Sequence, residues 1–253
     1  MKKVSAVLIT RNEEHNIREA LESVLWADEL IVVDAMSTDR TAEIARQLTP
    51  RVIQRDWPGY VEQKNFAAGQ ATHAWIFSLD ADERVSGPLR QEIEQWRRAE
   101  DESVKGFLIP RAAFFLGRWI RHTTWYPDEK LRLYHRDYGR WGGGRVHESV
   151  HLSVPPGRCR GELLHYSYRG LSDYIRRLEL YSALAARDLE ERGARAGLLS
   201  LTAHPFFAFV KNYLFKQGFR EGIPGLVVSI LASISVFFKY AKLWELQNKS
   251  KER

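Results

Sequence analysis

Residues 75–82 read WIFSLDAD, a short apolar run that ends in two carboxylates separated by one residue. Such a run predicts a buried strand, so that Asp80 and Asp82 follow where the strand opens into a loop. Carboxylates in this arrangement can bind Mg²⁺ or Mn²⁺ and leave coordination sites open for phosphate oxygens. The other interpretation of an Asp-x-Asp pattern is an ordinary turn or the start of a helix.

The segments before this strand predict the fold class. Apolar runs at 4–10, 30–33 and 51–53 predict three further strands, and residues with helical spacing lie between them. Ser37 or Thr38 could cap the second of these helices, and a helix from Pro88 to Trp96 follows the fourth strand. This order predicts an α/β fold with a mostly parallel sheet flanked by helices, and ligands bind such sheets at the carboxyl ends of the strands.

Polar residues follow the predicted strands at that edge. Asp34 ends the second strand, where an acid can hydrogen-bond a ribose or a base, or can instead cap the next helix. Lys64 lies in a helix between strands and could reach a phosphate, or could be a solvated surface lysine. No glycine-rich dinucleotide fingerprint or P-loop pattern occurs in the sequence, which argues against a Rossmann dinucleotide site and a P-loop kinase.

The middle of the chain, about 104–168, is strand-like and rich in aromatic residues and arginine. Glu148 follows a glycine-rich stretch and could act as a general base, with its neighbour His147 as a metal ligand or hydrogen-bond donor. A surface pair at a strand end is the plainer interpretation of these two residues. Asp128 is a rival base, although an aspartate after proline is also typical of a turn.

Composition limits the function classes. The chain has 253 residues, a net charge of +6, 44% hydrophobic residues and one cysteine, which excludes a disulfide framework and a cysteine zinc site. Residues 1–100 carry more acidic than basic side chains, whereas the remainder carries the positive excess. This asymmetry predicts an anionic surface met by one end of the molecule, and no nucleic-acid recognition motif accompanies it.

The C-terminal part predicts helices with an apolar surface. Ser172 would cap a long amphipathic helix that runs to about Arg192 and ends at Gly193. The uncharged run at 225–238 would span about 21 Å as a helix, which is short of the roughly 30 Å core of a bilayer. It suits an interfacial segment or a buried helix, with lysines interleaved nearby.

Three motifs together resemble the family 2 glycosyltransferases, which have the GT-A fold. They are LITRNEE at 8–14, VVDAMSTDRT at 32–41 and SLDADE at 78–83. Further segments are similar to a subgroup of bacterial transferases of lipopolysaccharide core assembly, best known for β-1,4-glucosyltransferases. These segments are GYVEQKNFA at 59–67, FLGRWI at 115–120, WYPD at 125–128, KLRL at 130–133 and VHE at 146–148.

The resemblance implies a role for each matching residue. Glu13 and Asp34 would contact the nucleoside of a UDP-sugar, and Thr10 and Arg11 would line the base pocket. Asp80 would touch ribose or metal, and Asp82 would hold the Mg²⁺ or Mn²⁺ that bridges the diphosphate. Lys64 would neutralise the departing diphosphate, and Glu148, preferred over Asp128, would be the base.

The resemblance also implies a reaction and a setting. We expect inverting transfer of a hexose, with glucose favoured, from a UDP-sugar to a lipopolysaccharide inner-core or other lipid-linked glycan acceptor. Residues 1–195 would form the catalytic domain, with a nucleotide-sugar half at 1–100 and an acceptor half at 101–195, and residues 196–253 a helical extension. The protein would sit in the cytoplasm on the anionic inner face of a bacterial inner membrane. A Mg²⁺-dependent phosphohydrolase or nucleotidyltransferase is the alternative.

Overall fold

The computed structural model describes residues 1–100, 102–143 and 148–249, and the chain forms two compact units. The first unit comprises Met1–Arg111 and Asp128–His165, and the second comprises Ala112–Pro127 and the chain from Tyr166 onward. The domain division predicted at residue 195 stays a prediction.

The strands and helices alternate in the first hundred residues, as the sequence predicts. In chain order the strands are β1 (Val4–Thr10), β2 (Glu29–Asp34), β3 (Val52–Gln54), β4 (Trp75–Asp80), β5 (Glu83–Val85), β6 (Gly106–Phe115), β7 (Arg118–Ile120), β8 (Asp128–His135), β9 (Gly139–Gly143), β10 (Glu148–Leu152), β11 (Gly157–Arg158) and β12 (Leu163–His165). The helices are α1 (Ile17–Glu22), α2 (Thr41–Arg46), α3 (Tyr60–Gly69), α4 (Gly87–Arg98), α5 (Leu171–Glu191), α6 (Leu198–Val210) and α7 (Gly222–Lys249).

The sheet is parallel where the sequence alternates and mixed beyond that point, since β8 is antiparallel to β6 whereas β11 is parallel to it. Its strand order is β3-β2-β1-β4-β8-β6-β12-β5; β1 pairs in parallel with both β2 and β4, whereas β8 is antiparallel to β4. In this register Thr10 lies opposite Asp34, and Ile9 opposite Asp80. The ends of the three central strands therefore meet at one edge of the sheet.

Strand β1 is buried along its whole length because both of its faces are covered. Val4, Ala6 and Leu8 belong to one core, and Val7 and Ile9 belong to the core on the other side of the sheet. Helices α1 and α4 contribute to the first core through Leu21 and Ile93 among others, and α3 contributes Ala67 to the second core. This two-sided burial is what a continuous apolar run in a parallel sheet predicts.

Strands β9 and β10 form a separate two-stranded antiparallel ladder in the first unit. Glu148 pairs with Gly143 at one end of this ladder, and Leu152 pairs with Gly139 at the other. Trp141 and Val150 of the ladder are buried with Ala67 of α3. The packing fixes the ladder against α3, the helix that carries Lys64.

Helix starts differ from the predictions at two places. The N-cap of α2 is Arg40, neither Ser37 nor Thr38, because the hydroxyl of Ser37 donates to the Asp34 carboxylate instead. The N-cap of α5 is Gly170, so Ser172 lies inside the helix and is not its cap. The predicted end of α5 at Gly193 is confirmed, with φ at +71°.

The second unit is built around α7. Val228 and Leu231 of α7 are buried with Tyr174 and Leu178 of α5 and with Phe115 of β6. Between α6 and α7 the chain makes a π-helical turn, Lys211–Phe215, and a 3₁₀ turn, Gly218–Glu221.

Helix α7 extends on both sides of the uncharged run at 225–238. It has 28 residues, or about 42 Å at 1.5 Å per residue, and that run accounts for about 21 Å of it. The helix does not stop at Lys239, because single lysines leave its backbone hydrogen bonding intact. Among the described residues, one continuous helical stretch is long and apolar enough to cross a membrane by length and composition. It runs over Gly218–Asn248 and so joins the 3₁₀ turn to α7.

Candidate functional site

Side-chain hydrogen bonds join the loops that follow β1 and β2. The side-chain amide oxygen of Asn12 accepts from the backbone N–H of Thr38 at 2.8 Å, and the backbone N–H of Asn12 donates to the Ser37 hydroxyl at 2.9 Å. The Glu13 N–H donates to the Thr41 hydroxyl at 2.8 Å. Asn12 adopts φ of +55°, a conformation that asparagine tolerates better than most residues. The two loops therefore form one preorganised surface at the strand ends.

Asp34 is fully buried beneath this surface. Its carboxylate accepts from the Ser37 N–H at 3.0 Å, from the Ser37 hydroxyl and from the Gln54 amide at 3.0 Å. These bonds hold the loop Ala35–Ser37 in place and do not cap α2, whose N-cap is Arg40. Contact between Asp34 and a nucleoside stays a prediction.

The other residues predicted for the base pocket differ in exposure. Arg11 is exposed, whereas Thr10 is 3% exposed and its hydroxyl has no hydrogen-bond partner in the described part of the chain. The Glu13 carboxylate accepts from the Asn16 amide at 2.8 Å. A buried hydroxyl without a partner is uncommon, so Thr10 has hydrogen-bonding capacity left over at this edge.

Asp80 is paired with two cations at the end of β4. One carboxylate oxygen lies 3.0 Å from Lys64 Nζ, and the other lies 2.5 Å from Arg132 Nη2. Burial by itself would raise the pKa of Asp80, but the charges of Arg132 and Lys64 outweigh it and hold that pKa far below its usual range. Asp80 is therefore ionised at every physiological pH.

Lys64 is not a solvated surface residue, because only 2% of its side chain is exposed. Its Nζ lies 3.0 Å from Asp80 Oδ1, 3.2 Å from Glu148 Oε1 and 4.3 Å from the centre of the Trp141 ring. A buried ammonium needs such compensation, since an unpaired buried charge is strongly destabilising. The structure thus brings together three of the predicted site residues, Lys64, Asp80 and Glu148.

Sequence reasoning missed the residues that hold this cluster together. Glu83 is fully buried, and its Oε1 accepts from Arg132 at 2.7 Å and from Arg111 at 2.8 Å. Glu83 also accepts from the Asp80 N–H at 3.1 Å. Arg132 was a usable signal, because it lies between Leu131 and Leu133 in β8 and a buried arginine requires a partner.

The two candidate bases have different surroundings. Asp128 lies 2.5 Å from Arg111 and 2.9 Å from Lys130, and these cations outweigh the effect of burial and hold its pKa below the usual value. Glu148 has 18% of its side chain exposed and contacts Lys64 through one carboxylate oxygen. The geometry leaves Glu148 the freer of the two carboxylates to accept a proton.

Asp82 faces a histidine that the sequence did not single out. Its Oδ2 lies 3.2 Å from Nε2 of His165 in β12, and this contact outweighs burial and lowers the pKa of Asp82. Carboxylate oxygen and imidazole nitrogen are ligands that suit Mn²⁺, and the carboxylates also suit Mg²⁺, so Asp82, with His165 and Asp80 nearby, fits a divalent cation. In residues 1–100, 102–143 and 148–249 no group of three or more such side chains is already gathered as a metal site. His147, the other predicted ligand, lies outside the described residues.

Comparison with known proteins places the chain in a family. The family described as "Glycosyl transferase family 2" matches residues 5–151. A relative from Rickettsia typhi, named an uncharacterized glycosyltransferase, is 31% identical over 99% of this chain and 90% of its own length. The lipopolysaccharide core biosynthesis glycosyltransferase LpsC of Rhizobium meliloti is 30% identical over 96% of this chain and 92% of its own.

The solved structures that align with the chain are more distant. TarS of S. aureus (residues 1–349), in complex with UDP-GlcNAc, aligns at a TM-score of 0.47 with 15% identity, over 98% of this chain and 92% of that chain. Glucosyl-3-phosphoglycerate synthase of Mycobacterium tuberculosis, with Mg²⁺ and UDP, aligns at 0.37 with 23% identity, over 46% of this chain and 44% of that chain.

Proposed function

Because the chain belongs to the family 2 glycosyltransferases and has their GT-A fold, we propose that it moves a hexose from a UDP-sugar to a lipid-linked glycan with inversion at the anomeric carbon. The observation that carries the proposal is the cluster of Glu148, Lys64 and Asp80 at the carboxyl ends of the parallel strands. Ligands of such sheets bind at this edge.

Inverting transfer needs a base and a means of stabilising the leaving group. Glu148 accepts the proton of the acceptor hydroxyl as that oxygen attacks the anomeric carbon, and the bond to the diphosphate breaks in line. The ammonium of Lys64 lies 3.2 Å from Glu148 and is close enough to share the charge of the departing diphosphate. Asp128 serves this arrangement by holding Arg111 in place.

A divalent cation, when bound, neutralises part of the diphosphate charge. Asp82 would hold it, with His165 and Asp80 as the neighbouring ligands among the described residues. Asp34, Glu13, Thr10 and Arg11 would surround the nucleoside. The joined loops after β1 and β2 support that assignment, since they already form one surface there.

The proposed acceptor is a lipopolysaccharide inner-core glycan, and glucose is the favoured hexose. The support is the name of the LpsC relative and the motifs at 59–67 and 130–133. Such an acceptor is carried by a lipid, so the protein would work at the anionic inner face of the inner membrane. The phosphohydrolase and nucleotidyltransferase alternatives are set aside by the family match.

Ligand binding tests the donor, because a ligand that binds only the folded state raises its stability. We expect a higher Tm with one of UDP-glucose, UDP-galactose and UDP-N-acetylglucosamine in the presence of Mn²⁺ or Mg²⁺, and no change with an ADP-heptose. UDP release should then rise when a truncated inner-core lipopolysaccharide is added. Release of inorganic phosphate from the nucleotide sugar, without glycan extension, would contradict the proposal.

A further inference from the structure

Six large apolar side chains are exposed on the segment formed by α6, the two turns and the start of α7. We call these six residues the docking surface. With their exposed fractions they are Phe206 (62%), Phe207 (63%), Leu214 (55%), Phe215 (79%), Phe219 (50%) and Ile223 (76%). Scattered single apolar residues are normal on a protein surface, but a group of aromatic and aliphatic side chains on one segment marks an interaction site.

The segment that carries the docking surface is held firmly. The Glu221 carboxylate accepts from the backbone N–H groups of Arg121 and His122, at 2.9 and 3.0 Å, and pairs with Arg118 at 2.9 Å. The side-chain amide oxygen of Asn212 accepts from the backbone N–H of Thr124 at 2.8 Å. The exposure of the apolar residues is therefore a feature of an ordered structure and not of a frayed chain end.

The charges around the docking surface have one sign. Lys211, Lys216 and Arg220 are exposed among its apolar residues. Between Leu198 and Trp244 the sequence has a single acidic residue, Glu221, and its side chain is 2% exposed and paired. Apolar side chains within a rim of cations complement a bilayer that contains anionic lipid, where each cation near the surface adds to binding.

The packing of α7 argues against a membrane-spanning helix. Lys242 donates to the Glu179 carbonyl at 2.6 Å, Gln247 donates to the Ala194 carbonyl at 2.7 Å, and Leu243 is fully buried. Crossing a bilayer would strip these contacts away or draw the charged residues of α5 into hydrocarbon. The last third of α7 therefore stays with α5.

We propose that the docking surface binds an anionic bilayer by entering one leaflet, while α7 does not span it. The proposal rests on the membrane setting of the proposed function and deepens it, since it names the surface of the second unit that would meet the lipid. It names the partner as a lipid surface with net negative charge.

Vesicle co-sedimentation tests the partner. We expect the wild-type protein to bind phosphatidylcholine vesicles that contain phosphatidylglycerol, and to bind pure phosphatidylcholine far less. The double variant Phe207→Ser/Phe215→Ser should lose about tenfold or more in affinity, and high salt should weaken wild-type binding. The matched control is Leu25→Ser, which removes an apolar side chain of 55% exposure from the first unit.

A fluorophore on the docking surface tests the mode of binding. The only cysteine, Cys159, is buried and its pKa is raised to about 12, so a thiol reagent would label Phe215→Cys in preference. We expect a blue shift of an environment-sensitive label at position 215 on anionic vesicles, and none for Leu25→Cys. Carbonate washing should release the protein from the vesicles.

Three other outcomes would each overturn the proposal or one part of it. Retention after the carbonate wash would overturn the one-leaflet mode, and equal binding by the Phe207→Ser/Phe215→Ser variant would overturn the surface itself. A dimer in solution that the same variant dissociates would assign the docking surface to a second copy of the chain and overturn the proposal. The rise in Tm with a UDP-sugar reports the transfer function separately, and we expect the docking variant to retain it.

Discussion

At the scale of single residues, Lys64 and its two carboxylate partners carry the chemistry that we propose for the site. Lys64 bridges Asp80 and Glu148, at 3.0 and 3.2 Å. An arriving diphosphate offers the ammonium a stronger partner than a single carboxylate. Binding of the donor would therefore loosen the contact to Glu148 and leave that carboxylate available to the acceptor hydroxyl.

Glu148→Gln should abolish most of the turnover and leave donor binding intact. The amide keeps the shape of the side chain but cannot accept the proton, so we expect kcat to fall by about 10²- to 10⁴-fold. The change in Tm on addition of the UDP-sugar should persist. Asp128→Asn is the comparison, and its kcat should fall less because Arg111 and Lys130 already engage Asp128. A larger loss in Asp128→Asn would reverse the assignment of the base.

Asp128 should instead make the free energy of unfolding depend on pH. Its folded pKa lies below the unfolded value of about 3.9, so its ion pairs stabilise the fold above that pH. This stabilisation is lost as the pH falls through the folded pKa. The free energy of unfolding of Asp128→Asn, from urea titrations, should lie below that of wild type at neutral pH and approach it in acid. A gap that widens in acid would contradict the pairing. Asp137→Asn, at an exposed carboxylate, is the control.

At the scale of secondary structure elements, close contact between α7 and the preceding 3₁₀ turn depends on a glycine. A Cβ at Gly225 would lie 1.9 Å from the carbonyl oxygen of Gly218, which is backbone and cannot rotate away. We expect Gly225→Ala to destabilise the fold by about 1–3 kcal/mol or more in urea unfolding. Gly69→Ala is the matched control, because nothing lies within 4 Å of its added Cβ. Equal stability of both variants would show that α7 can shift.

The strands of the first hundred residues were predictable from the sequence, whereas the N-caps of α2 and α5 were not. Strand β1 occupies Val4–Thr10 as predicted, because burial on both faces favours a mostly apolar run. The start of α5 was missed because Ser172 looks like a cap, yet the helix begins after Gly170. The residue that caps a helix depends on the direction from which the preceding chain reaches that helix. The local sequence pattern does not show this direction.

At the scale of the whole molecule, the site was predictable only in part. Asp80, Asp82 and Glu148 were found because each lies in a motif. Glu83 closes one of these motifs, but its role and that of Arg111 were missed because they come from ion pairs among β5, β6 and β8, which are distant in sequence. Tertiary pairing of this kind leaves no local spacing to detect.

Cys159 offers a measure of the integrity of the first unit as a whole. It lies in the core with Leu89 and Leu163, and burial first, then the charge of Glu92, raises its pKa to about 12. Since the thiolate is the reactive form, native protein at neutral pH should react with a thiol reagent at least about a hundredfold more slowly than unfolded protein. Rapid labelling of the native protein would show that the core around Cys159 opens freely.

The contacts from Glu148 through Lys64, Asp80, Arg132, Glu83 and Arg111 to Asp128 form a row in which carboxylates and cationic side chains alternate. This alternation of negative and positive side chains affects the rate of a reaction that shifts negative charge beside them. The inner members of the row, from Asp80 to Arg111, are held by neighbours on both sides, so they do not have to rotate or migrate when negative charge shifts nearby, as water dipoles must. A reaction at the end of this row would therefore have a small reorganisation energy, because the charged side chains around it are already oriented.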